Sequence, residues 1–375
     1  MQFIDLKAQQ DRIRNNINSA ITKVLDSGAY IMGKEVFQME ADLSEFCGAK
    51  HTLSCSSGTD ALLLPLMAWN VGHGDAVFVP SFTFTATAEV VMLLGATPIF
   101  IDVKEDTFNM CADSLQSGVR LAKNRGLNPK VIIGVDLFGQ PAEWDALLPI
   151  AREHSMKTLD DAAQGFGGVY KGRKIGTIAD ATATSFFPAK PLGCYGDGGA
   201  VFTDDTDLND IMISLRIHGQ DNGDKYKNSR IGLNARMDTI QCAILSEKLK
   251  IFKEELELRN VVANRYSQAL SDVVQVPYLL PDTISAWAQY TILLDEGADR
   301  SKIQKNLQEA GVPSAVYYPI AMHKQEAYLS GIKASDSMPV SESLCERVLA
   351  LPMHPYLSQD DQNKVMVVLK KALSV

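Results

Sequence analysis

The sequence predicts an α/β fold, in which a mixed, mostly parallel sheet lies between helices and a smaller α+β domain follows. Strand-like apolar runs alternate with helical patterns between residues 51 and 203, and this alternation implies parallel pairing. The chain has 375 residues, more than one small core accommodates. Because the pattern changes near residue 257, we predict a large domain over residues 1–256 and a small C-terminal domain over residues 257–375.

The composition is that of a globular protein, with 46% hydrophobic and 22% charged residues. A net charge of -9 argues against nucleic acid or an anionic membrane as the main partner. The six cysteines show no C-x-x-C spacing, so we expect reduced thiols, a cytoplasmic location and no metal site. The amphipathic, charged segment 1–26 does not resemble a signal peptide, and Glu89 and a Gly-Ala-Thr-Pro break interrupt the most apolar window.

In chain order, apolar spacing predicts helices at 7–26, 35–46, from 61, after the run 81–88, and at 114–123, 144–154, 207–217 and from about 238 past 256. Strands are predicted at 51–55, 77–80, 98–102, 131–137 and 157–161, before Lys190, and at 199–203. In the C-terminal part we expect strands at 287–294 and 313–318 and a helix at 299–310. A polar loop is expected at 218–230. Ligands of parallel sheets bind beyond the carboxyl ends of the strands, so motifs directly after strands are the candidates for a site.

The central motif is Ser185-Phe-Phe-Pro-Ala-Lys190-Pro-Leu-Gly193, followed by Gly-Asp-Gly-Gly at 196–199. Lys190 follows a Thr-rich run typical of a buried strand. Burial lowers the pKa of a lysine and makes its amine nucleophilic and able to form an imine. The alternative is an ordinary lysine at the start of a solvated loop.

Two further motifs follow strands. Ser56-Ser57-Gly58-Thr59-Asp60 lies between a strand and a helix, where free backbone N–H groups and the helix dipole favour an anion. The alternative is a plain helix N-cap by Thr59 or Asp60. Asp160 and Asp161 end the strand at 157–161, where a carboxylate would lie at the ligand-binding edge of the sheet. The alternative for this pair is two exposed loop acids.

Together these motifs resemble the DegT-type sugar-nucleotide aminotransferases, which are fold-type I enzymes that use pyridoxal 5'-phosphate (PLP). The similarity runs from Phe3-Ile-Asp-Leu6 to Leu351-Pro-Met-His-Pro355 and so covers nearly the whole chain. The resemblance implies that Lys190 is the catalytic lysine that binds PLP. It also implies cofactor contacts by Gly58, Thr59 and Ser185 at the phosphate, Phe84 stacked on the ring, Asp161 at the ring nitrogen and Gln164 at the phenolic oxygen.

In this family the residue that matches Asn234 reaches the phosphate of the neighbouring subunit, which implies a homodimer with shared sites. The alternative for Asn234 is an N-cap of the following helix, with Arg236 in its first turn. Tyr318 and His323 match a segment near the sugar, and Arg236 could bind both the carboxylate of a uronate substrate and that of the amino donor. His323 could equally be a surface histidine.

The resemblance implies L-glutamate as amino donor, 2-oxoglutarate as its product and a keto sugar nucleotide as acceptor. The run 190–199, together with His218-Gly-Gln220, most resembles the branch that acts on UDP-2-acetamido-2-deoxy-3-oxo-D-glucuronate in lipopolysaccharide O-antigen synthesis. A dTDP- or UDP-linked 3-keto or 4-keto deoxysugar remains an alternative acceptor. A PLP-binding regulator without turnover is an alternative of another class.

Other site classes have no support in the sequence. No G-x-G-x-x-G follows a strand, so a dinucleotide site of that type is not indicated. Residues 167–174 come close to a P-loop, but Arg173 stands where the lysine is required and no Ser or Thr follows. There is no H-E-x-x-H motif and the histidines are scattered, so we predict no zinc site.

Overall fold

The computed structural model describes residues 1–221, 224–329, 331–333 and 337–374. The helices are α1 Leu6–Ser27, α2 Lys34–Cys47, α3 Gly58–Ala68, α4 Ala86–Leu93, α5 Ala112–Asn124, α6 Trp144–Glu153, α7 Thr206–Arg216, α8 Thr239–Leu270, α9 Arg300–Glu309, α10 Pro339–Arg347 and α11 Gln359–Leu373. The strands of the first half are β1 His51–Cys55, β2 Asp75–Pro80, β3 Thr97–Ile101, β4 Asn128–Val135, β5 Lys157–Asp161, β6 Val169–Tyr170 and β7 Arg173–Lys174. The remaining strands are β8 Ala181–Ser185, β9 Gly199–Thr203, β10 Gln220–Asp221, β11 Asp224–Asn228, β12 Thr283–Ile284, β13 Tyr290–Leu293, β14 Ile332–Lys333 and β15 Val348–Leu351.

One large sheet organises the molecule, in the order β1-β9-β8-β5-β4-β2-β3-β14. Strand β9 is antiparallel to both of its neighbours, and the other adjacent strands are parallel. The prediction of a mixed, mostly parallel sheet between helices is therefore confirmed. The inner strands are buried almost throughout, as expected for a sheet covered on both faces.

The register of the sheet positions the site. Asp161, the last residue of β5, pairs with Val135 on β4 and with Ala183 on β8. The carboxyl ends of three parallel strands therefore lie side by side, and the residues that follow them meet at one edge. Ser185 ends β8 at this edge, and Lys190 follows five residues later.

Helix α8 links the two halves of the chain. It begins after Asp238, and its early turns pack against α1 and α2. From Val262 onward its buried residues belong to a second hydrophobic core, formed with β13, β15 and α11. The helix continues without interruption through residue 256, and the domain division at that residue stays a prediction.

Several elements differ from the predictions. Residues 313–318 form no strand: only Ala315 makes a bridge, to Ala350, and a proline at each end of the stretch removes a backbone donor. The strand predicted at 287–294 begins at Tyr290. The loop at 218–230 contains the hairpin β10–β11, and its residues 222 and 223 lie outside the described residues. Among the described residues, no helix combines the length and the apolarity needed to cross a bilayer.

Candidate active site

Lys190 lies in a turn beyond β8, where its backbone N–H donates to the Phe187 carbonyl at 2.6 Å. Its side chain is partly buried, and its amine makes no hydrogen bond or ion pair to the described residues. Burial lowers the pKa of this amine, and the charge of nearby Asp161 opposes the shift. The lysine is therefore held near the strand ends with an uncommitted amine.

Asp161 is buried, with 6% of its surface exposed, and Asp160 is fully buried. The prediction's alternative of two exposed loop acids is therefore wrong. One Asp161 oxygen accepts a 2.8 Å hydrogen bond from Thr87 Oγ1, and the other accepts from the Ala163 N–H at 3.3 Å. Burial raises the pKa of Asp161, while Thr87, Ala163 and Lys190 counter the shift. A cationic ring nitrogen placed against this carboxylate would stabilise its ionised form.

Gln164 follows β5 and is fixed at both ends of its amide. Its Oε1 accepts from the Phe138 N–H at 2.6 Å, and its Nε2 donates to the Tyr318 hydroxyl at 3.0 Å. Tyr318 therefore lies beside the predicted cofactor residues, although the strand predicted to carry it is absent. Burial raises the pKa of the Tyr318 hydroxyl, so this group stays protonated at neutral pH.

Gly58 and Ser185 are in direct contact. A Cβ on Gly58 would lie 2.6 Å from the Cβ of Ser185, so only glycine fits there. The N-cap of α3 is Ser57, whose Oγ accepts from the Asp60 N–H at 3.1 Å, and the prediction's alternative of a cap by Thr59 or Asp60 is wrong. The N–H groups of Gly58 and Thr59 have no partner among the described residues. Free N–H groups at a helix start beside a serine hydroxyl form a cradle suited to a phosphate.

Phe84 lies at the mouth of the site, between β2 and α4. Its side chain is 53% exposed, and its ring centroid is 6.2 Å from that of Tyr318. A large exposed aromatic side chain is available to stack on a flat ligand.

Asn234 and Arg236 precede α8, whose N-cap is Asp238, so the prediction's alternative of Asn234 as that cap is wrong. Asn234 is exposed, and its Oδ1 accepts from an Arg236 terminal nitrogen at 2.7 Å. The backbone carbonyl of Ala235 accepts from the Ser56 N–H at 3.0 Å, which ties this segment to the cradle. The Arg236 Nε is buried and has no hydrogen-bond partner, so part of its donor set is unused.

His323 is 8% exposed, and the alternative of a surface histidine is wrong. Its Nδ1 lies 2.5 Å from the Ser81 hydroxyl and its Nε2 lies 3.1 Å from a Glu342 oxygen. Burial lowers the pKa of the imidazole, an effect that Glu342 opposes. Both ring nitrogens are thus occupied by protein partners, and the histidine joins the C-terminal part of the chain to the end of β2.

Three contributors to this site are not indicated by the sequence. Thr87 lies in the Ser81–Ala88 run, but nothing in that run indicated that its hydroxyl would contact Asp161. Ser57 was overlooked as a cap because the helix was predicted to begin three residues later. Asp136 directly follows β4, at the same edge of the sheet as Asp161. The rule that site residues follow strands would have indicated Asp136 if the predicted strand had ended at Val135 and not at Leu137.

These residues fit PLP. The free amine of Lys190, the buried carboxylate of Asp161 and the phosphate cradle would suit its aldehyde, its ring nitrogen and its phosphate, respectively. Among the described residues, no group of three or more His, Cys, Asp or Glu side chains could hold a metal ion. The arrangement is suited to proton transfer at a carbon next to an amine.

Comparison with known proteins supports this chemistry. A Pseudomonas aeruginosa relative named UDP-2-acetamido-2-deoxy-3-oxo-D-glucuronate aminotransferase is 45% identical over 95% of this chain and 96% of its own. A Streptomyces venezuelae relative named dTDP-3-amino-3,4,6-trideoxy-alpha-D-glucose transaminase is 34% identical over 98% of this chain and 95% of its own.

Solved structures are similar throughout. A DegT DnrJ EryC1 StrS aminotransferase from Brucella abortus superposes with a TM-score of 0.96 at 49% identity, over 99% of both chains. A Bacillus subtilis protein with bound cofactor PMP gives a TM-score of 0.90 at 28% identity, over 100% of this chain and 85% of its own. The cofactor of this chain is PLP, and the chain is a sugar-nucleotide transaminase. The model of the DegT/DnrJ/EryC1/StrS aminotransferase family matches residues 11–370, and the chain belongs to that family.

Proposed function

We propose that this transaminase moves the amino group of L-glutamate to the keto carbon of UDP-2-acetamido-2-deoxy-3-oxo-D-glucuronate. The products are 2-oxoglutarate and the 3-amino sugar nucleotide, which the family resemblance links to O-antigen synthesis. The observation that carries this choice is the 45% identity to the P. aeruginosa relative over almost the entire chain. Arg236 adds support, because a uronate carboxylate needs a cation and this guanidinium has a buried Nε without a partner.

PLP supplies an electron-withdrawing ring that stabilises negative charge at the carbon that loses a proton. We assign to Lys190 Nζ the covalent hold on the cofactor and the removal of the proton from the donor's α carbon, followed by delivery of a proton to the acceptor carbon. Its lowered pKa favours the neutral amine that this step needs. Gly58, Thr59 and Ser185 would bind the phosphate, and Asp161 and Gln164 the ring nitrogen and phenolic oxygen.

The acceptor side of the site involves Phe84, Tyr318 and His323. Phe84 is proposed to stack on the ring, and its exposed face supports this role. Tyr318 is held through Gln164 and so can contact a sugar above the ring. His323 stays a predicted substrate residue, but the hydrogen bonds of its nitrogens with Ser81 and Glu342 favour a structural part, in which it joins the C-terminal part of the chain to the end of β2.

A two-stage experiment tests this function. L-Glutamate added to the PLP form should convert the cofactor's absorbance to that of the pyridoxamine phosphate form and release one 2-oxoglutarate per site. A panel of keto sugar nucleotides then identifies the acceptor by recovery of the PLP spectrum, with the uronate expected to react fastest. An unchanged spectrum with L-glutamate would overturn the donor assignment.

A dTDP- or UDP-linked 3-keto or 4-keto deoxysugar is the second candidate acceptor, favoured by the S. venezuelae relative. Such sugars lack the carboxylate, so Arg236→Ala separates the two acceptors. With the uronate, this variant should lose about 100-fold or more in kcat/KM while retaining PLP. Arg236→Lys keeps the charge but loses the bidentate hydrogen bonding. Its kcat/KM with the uronate should lie between those of the wild type and Arg236→Ala. Equal loss of turnover and of PLP would contradict the assignment.

We also propose a homodimer in which Asn234 reaches the phosphate site of its partner. Asn234 is exposed. Large apolar side chains are also exposed around the site and near Asn234 in the sequence, with exposed fractions of 53% for Phe84, 52% for Phe187 and 88% for Ile231. Mixing Lys190→Ala with Asn234→Ala subunits tests this arrangement. If Asn234 acts across the interface, mixed dimers recover one complete site, and activity should reach about a quarter of the wild-type value. If it acts within its own subunit, no activity returns.

The cytoplasmic location remains a prediction. It is supported by the six cysteines, all of which are free thiols.

A further inference from the structure

Two buried carboxyl groups lie behind the cofactor residues, at the ends of β4 and β5. Asp136 and Asp160 are both 0% exposed. Asp136 Oδ1 accepts from the Ala142 N–H at 2.8 Å, and Asp160 Oδ2 accepts a long 3.4 Å bond from Thr182. The other oxygen of each, Asp136 Oδ2 and Asp160 Oδ1, has no donor among the described residues. Neither carboxyl forms an ion pair with a described lysine, arginine or histidine.

Asp160 pairs with Gly134 on β4, two residues before Asp136, and the two carboxyls are within hydrogen-bonding reach of each other. Ionisation of both without a cation is strongly disfavoured, because each charge is desolvated and repels the other. A shared proton, with one carboxyl donating to the other, removes both problems. Burial raises the pKa of both carboxyls, and the negative charge of Asp161 adds to the shift. The charged group that faces this pair is Asp161, and Lys190 lies beyond it; the facing residue of β8 is the uncharged Thr182.

The pair supports both residues expected to contact the cofactor's ring. Asp160 directly precedes Asp161, and the Asp136 N–H donates to the Asp161 carbonyl at 3.1 Å. The turn after Asp136 holds Phe138 at a φ of 61°, an unfavourable conformation for a phenylalanine, and the Phe138 N–H orients Gln164. A displacement of Asp136 would therefore move Asp161 and Gln164 together.

We propose that Asp136 and Asp160 form a proton-sharing acid pair that positions Asp161 and Gln164, and that loss of the shared proton in alkaline solution weakens the hold on PLP. The proposal rests on the roles proposed above for Asp161 and Gln164. Two negative charges would then face each other in place of one hydrogen bond. The repulsion acts on the turn that carries Phe138 and on the end of β5.

The acid pair has a defined effect on stability. Its folded pKa values lie above those of an unfolded aspartate, so the folded state keeps a proton that the unfolded state has released. The free energy of unfolding should therefore fall as pH rises above the pKa of an unfolded aspartate, and level off once the folded pair has also ionised. Release of PLP should accelerate through the upper end of this range.

Asp160→Asn is the informative variant. An asparagine keeps a donor toward Asp136 and leaves one negative charge, which is the charge of the singly protonated pair, but the variant cannot gain a second charge. We expect PLP release from the wild-type holoenzyme, followed by absorbance, to accelerate several-fold between about pH 7 and about pH 9.5, and release from the variant to stay nearly constant. Asp180→Asn is the matched control, because this exposed carboxylate bonds Thr158 at the other end of β5.

An Asp160→Asn protein with the wild-type pH profile of PLP release, or a flat profile in the wild type, would overturn the proposal. Asp136→Asn is the reciprocal variant, with the same expectation, should the first fail to fold. Asp161→Asn distinguishes a failure of the proposed ring contact from a failure of the proposed acid pair. If Asp161→Asn retains PLP as the wild type does, the proposed ring contact is wrong. If it loses PLP while Asp160→Asn follows the wild-type profile, only the acid pair is wrong.

Discussion

Lys190 and Lys248 both have amines whose pKa is lowered by burial, but only the Lys248 amine is held by a hydrogen bond to a described residue. Lys190 is partly exposed, its amine makes no hydrogen bond to the described residues, and the charge of Asp161 acts on it. Lys248, on α8, is 1% exposed, donates to the Gly193 carbonyl at 2.6 Å and lies 4.4 Å from the centre of the Tyr195 ring. Burial lowers the pKa of both lysines, to about 8 for Lys248.

The comparison separates a low pKa from reactivity. A neutral amine can attack only if its lone pair is accessible, and the buried amine of Lys248 has no open approach. Its bond to Gly193 instead holds the turn that Lys190 begins. One buried lysine thus supports the segment that presents the other.

Lys190→Ala is the variant with the largest expected effect. It would remove both the proposed covalent link to PLP and the amine proposed to move the proton, so turnover should fall by about 10^4 or more. Lys190→Arg keeps the positive charge but is not a nucleophile, and it should be equally inactive. Steady-state assays, with thermal unfolding as a check on folding, measure this. Activity of either variant above a hundredth of wild type would contradict the role of Lys190.

Asp161→Asn comes next, since it alters the surroundings of Lys190 without touching the amine. The ring nitrogen would lose its anionic partner, and kcat should fall by about 100-fold or more. The fraction of PLP retained after gel filtration should fall as well. Thr87→Val, which removes only the hydrogen bond to Asp161, should give a smaller loss in the same direction.

Lys248→Met should leave covalent PLP in place and change kcat by less than about tenfold, because only the support of the Gly193 turn is lost. Mass measurement after borohydride reduction, which fixes PLP on its lysine, distinguishes the two lysines directly. PLP found on residue 248, or no PLP on residue 190, would remove the basis of the comparison.

The smallest expected effect is the pH dependence of stability caused by Lys248. Its folded pKa of about 8 is below the unfolded value of 10.5, so between these values the folded state binds fewer protons. The free energy of unfolding should therefore rise with pH in that window, by at most about 3 kcal/mol. Cys194 and Glu255 face this lysine and reduce the shift. The free energy of unfolding, measured by urea at several pH values in that window, should rise more steeply with pH for the wild type than for Lys248→Met. The same pH dependence in both proteins would exclude this effect.

The sequence was most informative where one rule of topology applied. Residues that follow parallel strands meet at one edge, and this rule was sufficient to bring Asp161, Ser185 and Lys190 together. Their burial and contacts in the structure agree with that expectation. The roles of the individual side chains came from the family resemblance and remain predictions.

Contacts between segments distant in the sequence were not predictable. Lys248 lies in a charged helical stretch that looks solvated, and only the position of the Gly193 turn buries it. The segment 313–318 has the composition of a strand, but it pairs with β15 only through the bridge between Ala315 and Ala350. The predicted strand 131–137 includes Asp136, so the sequence gives no sign that this side chain lies beyond the end of β4 and beside Asp160.

The continuity of α8 has a consequence for engineering. Its 32 residues form a rod about 48 Å long that starts beside Arg236, passes under the Lys190 turn at Lys248 and ends in the C-terminal core. A chimera that exchanges C-terminal parts between family members at residue 256 would join two half-helices of different origin in mid-rod. A junction just after Leu270 would transplant the C-terminal segments while leaving the recipient's own rod intact.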